Sequence, residues 1–91
     1  IKMYLHIGNG KNIRTKDIIG IFDLQTTMYG SDTSAFLRMA EEDGFIERIS
    51  KEKPKSFVIA EVNKMSKIYL SPISSLSYLT FLYDIRFFHK N

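Results

Sequence analysis

Positively charged side chains are concentrated in one short stretch near the middle of the chain. It holds four cations within eight residues: Arg48, Lys51, Lys53 and Lys55. Pro54 has no N–H and disfavours helical backbone at the residue before it, so this stretch is predicted to be a loop. Lysines on a loop of restricted shape can bind phosphate as point charges. The same pattern is typical of a solvated hairpin tip, and the residues alone do not choose between the two.

A second group of cations, Lys11, Arg14 and Lys16, lies near the N-terminus. If the two groups meet in space, or repeat around an oligomer, they form a surface that can follow a row of phosphates. Lysine lacks the planar fork with which arginine recognises the edge of a base, so we expect contacts with the nucleic-acid backbone. Such binding depends strongly on salt concentration.

Catalytic or metal-binding chemistry has little support in the sequence. The two histidines, His6 and His89, are far apart, and the chain has no cysteine. Ser71 is followed by proline and does not stand in a G-x-S-x-G elbow, and helix capping explains it. The Gly-Asn-Gly cluster at 8–10 lacks the G-K-[ST] ending of a phosphate loop and predicts a turn. We therefore predict a protein that is not an enzyme and that has no cofactor and no metal site.

The chain is short, at 91 residues, and carries a formal net charge of +3. A chain of this size buries only about 60% of the surface that its unfolded form exposes, so self-association is a common way for it to gain stability. The sequence has no apolar stretch long enough to span a bilayer and no recognisable signal peptide. From this we expect a protein that does not contact a membrane.

Segments rich in β-branched and aromatic residues have the length of strands: 4–7, 17–23, 45–49, 56–62 and 67–70. We expect the first two to pair as a hairpin, and the last two to pair across a short polar turn. Between the second and third strands, the apolar spacing predicts a helix over 33–43. Ser31 and Asp32 are the candidate N-caps, and Gly44 lies just past the predicted end.

The apolar face of this helix is predicted to hold Ala35, Phe36, Met39 and Ala40. A second helix is predicted to begin at Ser71-Pro72, because serine caps helices and proline suits their first position. It continues into an aromatic tail: Tyr78, Phe81, Tyr83, Phe87 and Phe88. Such a helix either packs one face on its own core or forms a subunit interface. The predicted fold is α+β: a small, mostly antiparallel sheet of about five strands, one helix between strands 2 and 3, and a C-terminal helix.

Five segments match one known family in order and spacing over roughly residues 3 to 76. They are Met3-Tyr-Leu-His-Ile-Gly, Asp17-Ile-Ile-Gly-Ile-Phe-Asp, Phe36-Leu with Ala40-Glu-Glu, Lys53-Pro-Lys-Ser-Phe-Val-Ile, and Ile68-Tyr-Leu-Ser-Pro-Ile-Ser-Ser. No single segment identifies the family, but the five segments together, in this order, do. On these segments the chain resembles the RemB branch of the RemA/RemB extracellular matrix regulators of Gram-positive bacteria.

The resemblance implies a single domain of residues 3–91, in which residues 77–91 are a divergent C-terminal helix. It implies a cytoplasmic regulator of the transcription of extracellular matrix (biofilm) genes that is not an enzyme. The RemA branch binds DNA and assembles into rings, around which DNA is thought to wrap on a basic rim. By this likeness we expect a homo-oligomeric ring that binds the phosphate backbone of double-stranded DNA. The expected DNA-binding residues are Lys51, Lys53 and Lys55, helped by Arg48, Arg14 and Lys16.

The chain departs from the RemA pattern in its basic residues. RemA-like proteins have an arginine-rich stretch where this chain has Lys53-Pro-Lys-Ser, so the arginine forks are lost. They also have an arginine early in the second predicted strand where this chain has Asp17, and an acid there repels phosphate. These departures favour an alternative, namely a protein-interaction module that modulates a related regulator without contacting DNA.

Overall fold

The computed structural model describes residues 4–25 and 30–78 of the chain. Within these ranges the elements are, in chain order, β1 (Tyr4–Gly8), β2 (Lys11–Arg14), a 3-10 helix (Thr15–Asp17), β3 (Ile18–Asp23), α1 (Ser31–Glu42), β4 (Ile46–Arg48), β5 (Ser56–Val62) and β6 (Met65–Ser71). One helical turn, residues 75–78, follows β6. The predicted α+β class is therefore confirmed.

The larger sheet has four strands in the order β3-β5-β6-β4. Its pairs are antiparallel except β4 with β6, which are parallel. β5 and β6 form the predicted hairpin, joined at Asn63 and Lys64, which both have positive φ, as a tight hairpin turn requires. This turn marks what we call the turn end of the sheet. The opposite end, where Ser56 and Ser71 pair, is the loop end.

A separate two-stranded sheet corrects the predicted first hairpin. β1 pairs with β2, with Leu5 opposite Ile13, and does not pair with the 17–23 segment. That segment instead supplies β3, which pairs with β5. The polar composition of residues 11–16 hid β2 from the sequence pattern, because one inward-facing side chain, Ile13, is enough to anchor this short strand.

The predicted turn at residues 8–10 is confirmed as the connection between β1 and β2, and all three of its residues have positive φ. A Cβ at Gly8 would lie 3.1 Å from the ring of Pro72, so this turn packs closely against the segment that follows β6. Asn9 also donates a hydrogen bond from its side-chain Nδ2 to the carbonyl oxygen of Ile49 at 3.1 Å. The small hairpin is thereby fixed at the loop end of the larger sheet.

Side chains of β5 and β6 alternate between two faces of the larger sheet. On one, which we call the hairpin face, Val58, Ala60 and Tyr69 pack against the buried side chains of the small hairpin, Leu5, Ile7 and Ile13. On the other, the helix face, Phe57, Ile68 and Leu70 pack against Ala40 of α1. The core is thus divided between two layers, one on each face.

Helix α1 differs from its prediction at its start and in its buried face. It begins at Ser31, and its N-cap is Gly30, which has extended backbone and makes no side-chain cap, so neither Ser31 nor Asp32 has that role. It ends at Glu42, one residue before the predicted end, and Gly44 follows the C-cap Asp43 in left-handed conformation with φ 79°. Of the predicted apolar face only Ala40 is buried, while Ala35, Phe36 and Met39 are exposed. Helix α1 therefore covers only part of the sheet.

The second predicted helix starts later than expected. Ser71 is the last residue of β6 and not a helix cap. Ser74 takes the cap position, because its Oγ and its carbonyl oxygen both accept a hydrogen bond from the N–H of Ser77. The remainder of the predicted C-terminal helix, residues 79–91, lies outside the described residues.

Candidate nucleic-acid interface

The segment between β4 and β5, residues 49–55, is held at both ends, and we call it the lysine loop. The backbone N–H of Ile49 donates a hydrogen bond to the carbonyl oxygen of Leu70 at 3.1 Å, and that of Lys55 donates one to the carbonyl oxygen of Ser71 at 2.8 Å. The carbonyl oxygen of Lys55 accepts a further bond from Leu24 at 2.9 Å. With Pro54 half-buried between these anchors, the backbone of the loop has little freedom.

The three lysines of this loop point their charge to solvent. Lys51, Lys53 and Lys55 are all exposed. Within residues 4–25 and 30–78, no ion pair engages any of them. The loop therefore presents three uncompensated ammonium groups on a fixed backbone, next to the single carboxylate of Glu52. This arrangement can bind phosphate without first breaking an internal salt bridge.

Arg48 is less available than the lysines. Its Nη2 lies 2.9 Å from Oε1 of Glu41 on α1. Both side chains remain more than half exposed, so the pair contributes only about 0–1 kcal/mol to stability. Arg48 keeps further N–H donors, but part of its charge is already neutralised by the carboxylate.

Arg14 and Lys16, also exposed, lie at the other end of the molecule. They flank the start of the 3-10 helix that leads directly into β3, where Ile18 pairs with Ala60 near the turn end. The lysine loop leads into Ser56 at the loop end. The seven residues of β5 extend about 20 Å at ~3.3 Å per residue, so Arg14 and Lys16 do not reach the lysine loop within one chain. Lys11, the third cation of the second group, instead forms an ion pair with Glu47, the neighbour of Arg48, at 3.8 Å.

A cavity of about 360 Å³ opens between α1, β4 and the lysine loop. Leu37, Ile46 and Leu70 contribute apolar walls, and Arg38, Arg48 and Lys53 bring positive charge. Arg38 is not among the predicted DNA-binding residues, because only the packing of α1 on the sheet brings it beside the loop. Glu41, the ion-pair partner of Arg48, lines the same cavity, so Arg38 and Lys53 are the two lining cations that no ion pair within the described residues engages.

Buried hydroxyl groups tie the base of the lysine loop to the rest of the fold. Ser71 Oγ donates to the carbonyl oxygen of Ile7 at 2.8 Å and lies 2.6 Å from the hydroxyl of Tyr78. Ser56, the residue directly after the loop, donates from Oγ to the carbonyl oxygen of Ile73 at 2.7 Å. Burial raises the pKa of Tyr78, although its hydrogen bonds to Ser71 and Ser56 act in the opposite direction. The serines on either side of this network thus have a structural role: their hydroxyl groups hold the base of the lysine loop against the rest of the fold.

The described residues contain no group of three or more histidine, aspartate or glutamate side chains placed to hold a metal ion. His6 lies with Nδ1 3.2 Å from Oδ1 of Asn12 on the neighbouring strand. His89 is outside the described residues. In the part of the chain that the structure describes, no helix is both long enough and apolar enough to cross a membrane.

Comparison with known proteins gives an informative relative. No protein-family model matches the chain. Over 73 residues, however, it is 34% identical to extracellular matrix regulatory protein B of Bacillus subtilis (strain 168). The match spans 80% of this chain and 82% of that relative. The chain belongs to the RemB-like family of extracellular matrix regulatory proteins.

Proposed function

We propose that this protein regulates the transcription of extracellular matrix genes, without catalysis, by binding the phosphate backbone of double-stranded DNA as a homo-oligomeric ring. The regulatory role is supported by similarity to a protein named as an extracellular matrix regulator. The observation that supports DNA contact is the lysine loop, in which Lys51, Lys53 and Lys55 are exposed on an anchored backbone.

Oligomerisation matters to this proposal because one chain offers few phosphate contacts. Each cation that neutralises a phosphate releases condensed counterions, and the gain grows with the number of contacts. A ring repeats the lysine loop once per subunit, and it repeats Arg14 and Lys16 as well. The two groups, about 20 Å apart in one chain, can then contribute to one basic surface formed by several subunits.

A mobility-shift titration with a matrix-gene promoter fragment tests DNA contact. The wild-type protein should retard the fragment, and the double variant Lys53→Glu/Lys55→Glu should lose most of the binding. Reversing two cations replaces attraction to phosphate with repulsion but removes no buried contact, because both side chains are exposed. Unchanged binding by the double variant would rule out the loop as the contact surface.

Lys64→Glu provides a control that is matched in charge to the single variant Lys53→Glu. Lys64 is also exposed, but it lies in the turn between β5 and β6, at the opposite end of the sheet from the loop. If net charge alone governs binding, Lys53→Glu and Lys64→Glu will weaken it equally. A larger loss with Lys53→Glu assigns the contact to the lysine loop.

A second candidate function is an interaction module that modulates a related regulator without touching DNA. The pairing of Arg48 with Glu41 favours it, since the arginine nearest the loop is already engaged by a carboxylate. Its test is to mix the purified protein with a related DNA-binding regulator and measure the mass of the complex. Binding of promoter DNA by this protein alone would count against the module.

A further inference from the structure

We propose that an open apolar groove on the helix face binds the C-terminal segment, residues 79–91, of a second copy of this chain. The inference rests on the proposed homo-oligomer and names the contact that builds it. The groove is a different part of the molecule from the lysine loop, so experiments can contradict the groove contact without contradicting DNA binding by the loop.

The groove lies between the C-terminal half of α1 and the turn end of the sheet and has a volume of about 400 Å³. Its walls include Phe36, Met39 and Phe45, and its floor includes Ile59 and Ile68. The three wall side chains are 44%, 62% and 44% exposed. Large apolar side chains that converge on one groove are typical of a binding surface, whereas scattered ones are ordinary.

The sequence of residues 79–91 suits such a groove. Seven of its thirteen side chains are apolar or aromatic: Leu79, Phe81, Leu82, Tyr83, Ile85, Phe87 and Phe88. A segment of this composition must bury its side chains somewhere. It is also the longest part of the chain that lies outside the described residues.

Charge complements the apolar match. Glu42 and Asp43 are exposed at the C-terminal end of α1, where carboxylates oppose the helix dipole, and no ion pair within the described residues engages them. Asp43 lines the groove itself. The C-terminal segment carries Arg86 and Lys90 against the single acid Asp84, so it brings net positive charge to this acidic rim.

The position of Tyr78 places this contact between two copies. Tyr78 is the last described residue and is buried on the hairpin face, where its hydroxyl meets Ser71 at the loop end. The groove is on the helix face at the turn end. Thirteen residues in the predicted helical form extend only about 20 Å, which is about the length of the sheet itself. The segment is therefore too short to run along the sheet and also cross to its other face. A neighbouring copy can present the whole segment to the groove.

A contact of this kind is heterologous, because it joins two different surfaces of identical chains. Each copy has one segment, which follows Tyr78 at the loop end, and one groove, at the turn end, so an assembly of any length keeps one unfilled groove and one unbound segment. Repetition of a heterologous contact closes into a ring when the rotation permits and otherwise continues as a filament. The proposed ring thus has a defined subunit contact.

Two variants of the 91-residue chain, mixed, test the contact directly. Met39→Lys places a charge in the groove, and Phe88→Glu places one in the C-terminal segment. Light scattering coupled to size exclusion should show that each variant alone is monomeric. An equimolar mixture should give a heterodimer of twice the mass of one chain, because one intact groove meets one intact segment and growth stops there.

Met65→Lys is the matched control, since Met65 and Met39 are equally exposed, at 62% each. Met65 pairs with Val62 in the β5–β6 hairpin and does not line the groove. The Met65→Lys protein should assemble as the wild type does. Circular dichroism of all variants checks that the monomers are folded.

A charge exchange adds an independent measurement. Asp43→Lys and Arg86→Glu should each weaken assembly, and the double variant should restore it, because the reversed charges attract again.

The outcomes separate this inference from the proposed function. If the wild type is oligomeric and Met39→Lys and Phe88→Glu leave its mass unchanged, the groove contact is wrong and the homo-oligomer stands. A mixture that forms no heterodimer also overturns the groove contact. A monomeric wild type at high micromolar concentration overturns both the contact and the ring.

Discussion

The two faces of the four-stranded sheet are covered to very different extents. On the hairpin face, Leu5, Ile7 and Ile13 are almost completely buried against the sheet. On the helix face, Phe36 and Met39 of α1 remain exposed although the same two strands lie beneath. Both faces of β5 and β6 carry apolar side chains, so the difference in exposure arises from the elements that cover each face.

The hairpin face is closed by a paired unit that is fixed to the sheet by hydrogen bonds, including the one from Ser71 to Ile7. The helix face has a single helix of 12 residues, which packs on the sheet through the small side chain of Ala40 and the half-buried Leu37. We therefore expect stability to be concentrated on the hairpin face, and we propose that the helix face is the one that associates. The following predictions test this division, starting with the largest effect.

Truncation in the closed face should be the most destabilising change. Ile7→Ala removes a fully buried side chain, and such truncations cost about 2–5 kcal/mol because a cavity remains. Met39→Ala, on the open face, should change the free energy of unfolding by less than about 0.5 kcal/mol when both truncations are made in the monomeric Phe88→Glu variant, where no subunit contact contributes. Urea denaturation of both variants measures the contrast, and similar losses at the two positions would remove the distinction between the faces.

Loss of the Ser71 hydroxyl should come next. Ser71→Ala leaves the carbonyl oxygen of Ile7 and the hydroxyl of Tyr78 without this buried partner, at a cost of about 1–3 kcal/mol. Ser74→Ala removes an exposed hydroxyl at the following helical turn and should cost less. Thermal unfolding compares the two, and equal losses would show that the buried network does not anchor the hairpin face.

Because Tyr78 belongs to the same network, the free energy of unfolding should depend on pH in the alkaline range. The folded-state pKa of Tyr78 is raised above its ordinary value of 10.0 by burial, so the unfolded chain loses this proton first. The contribution of Tyr78 is therefore complete below about pH 10 and decreases as the pH rises further. Tyr78→Phe should be less stable by about 0.5–1.5 kcal/mol near neutrality, and the difference from wild type should shrink above about pH 10. Urea titrations across this range measure it, and a constant difference would contradict the assignment.

The smallest effect is expected from the ion pair between α1 and β4. A double-mutant cycle with Arg48→Ala and Glu41→Ala should give a coupling of about 0–1 kcal/mol, because both groups are largely exposed. High salt should reduce it further. A coupling of several kcal/mol would mean that the helix is held to the sheet more firmly than the open groove indicates.

Features set by neighbouring residues are predictable from this sequence. The turn at residues 8–10, the β5–β6 hairpin and the glycine after α1 all follow from local backbone preferences. The solvent exposure of Lys53 and Lys55 also agrees with the expectation of a loop around Pro54.

Features set by distant contacts are not predictable in this way. β2 contains one buried apolar residue, Ile13, and its pairing with β1 depends on a surface that only the folded sheet supplies. Ser71 has the local pattern of a helix cap, yet its hydroxyl is bonded to Ile7, 64 positions away. The separation of Arg14 and Lys16 from the lysine loop likewise follows from the strand order.

The central claim, that the lysine loop binds DNA phosphates, is tested most directly by the salt dependence of binding. Fluorescence anisotropy with labelled double-stranded DNA should show log K falling linearly with log salt concentration, by about 0.9 per phosphate contacted. In Lys53→Glu/Lys55→Glu the slope should become shallower, because fewer phosphates are neutralised per subunit. A flat salt response in the wild type, or the same slope in the double variant, would contradict the account.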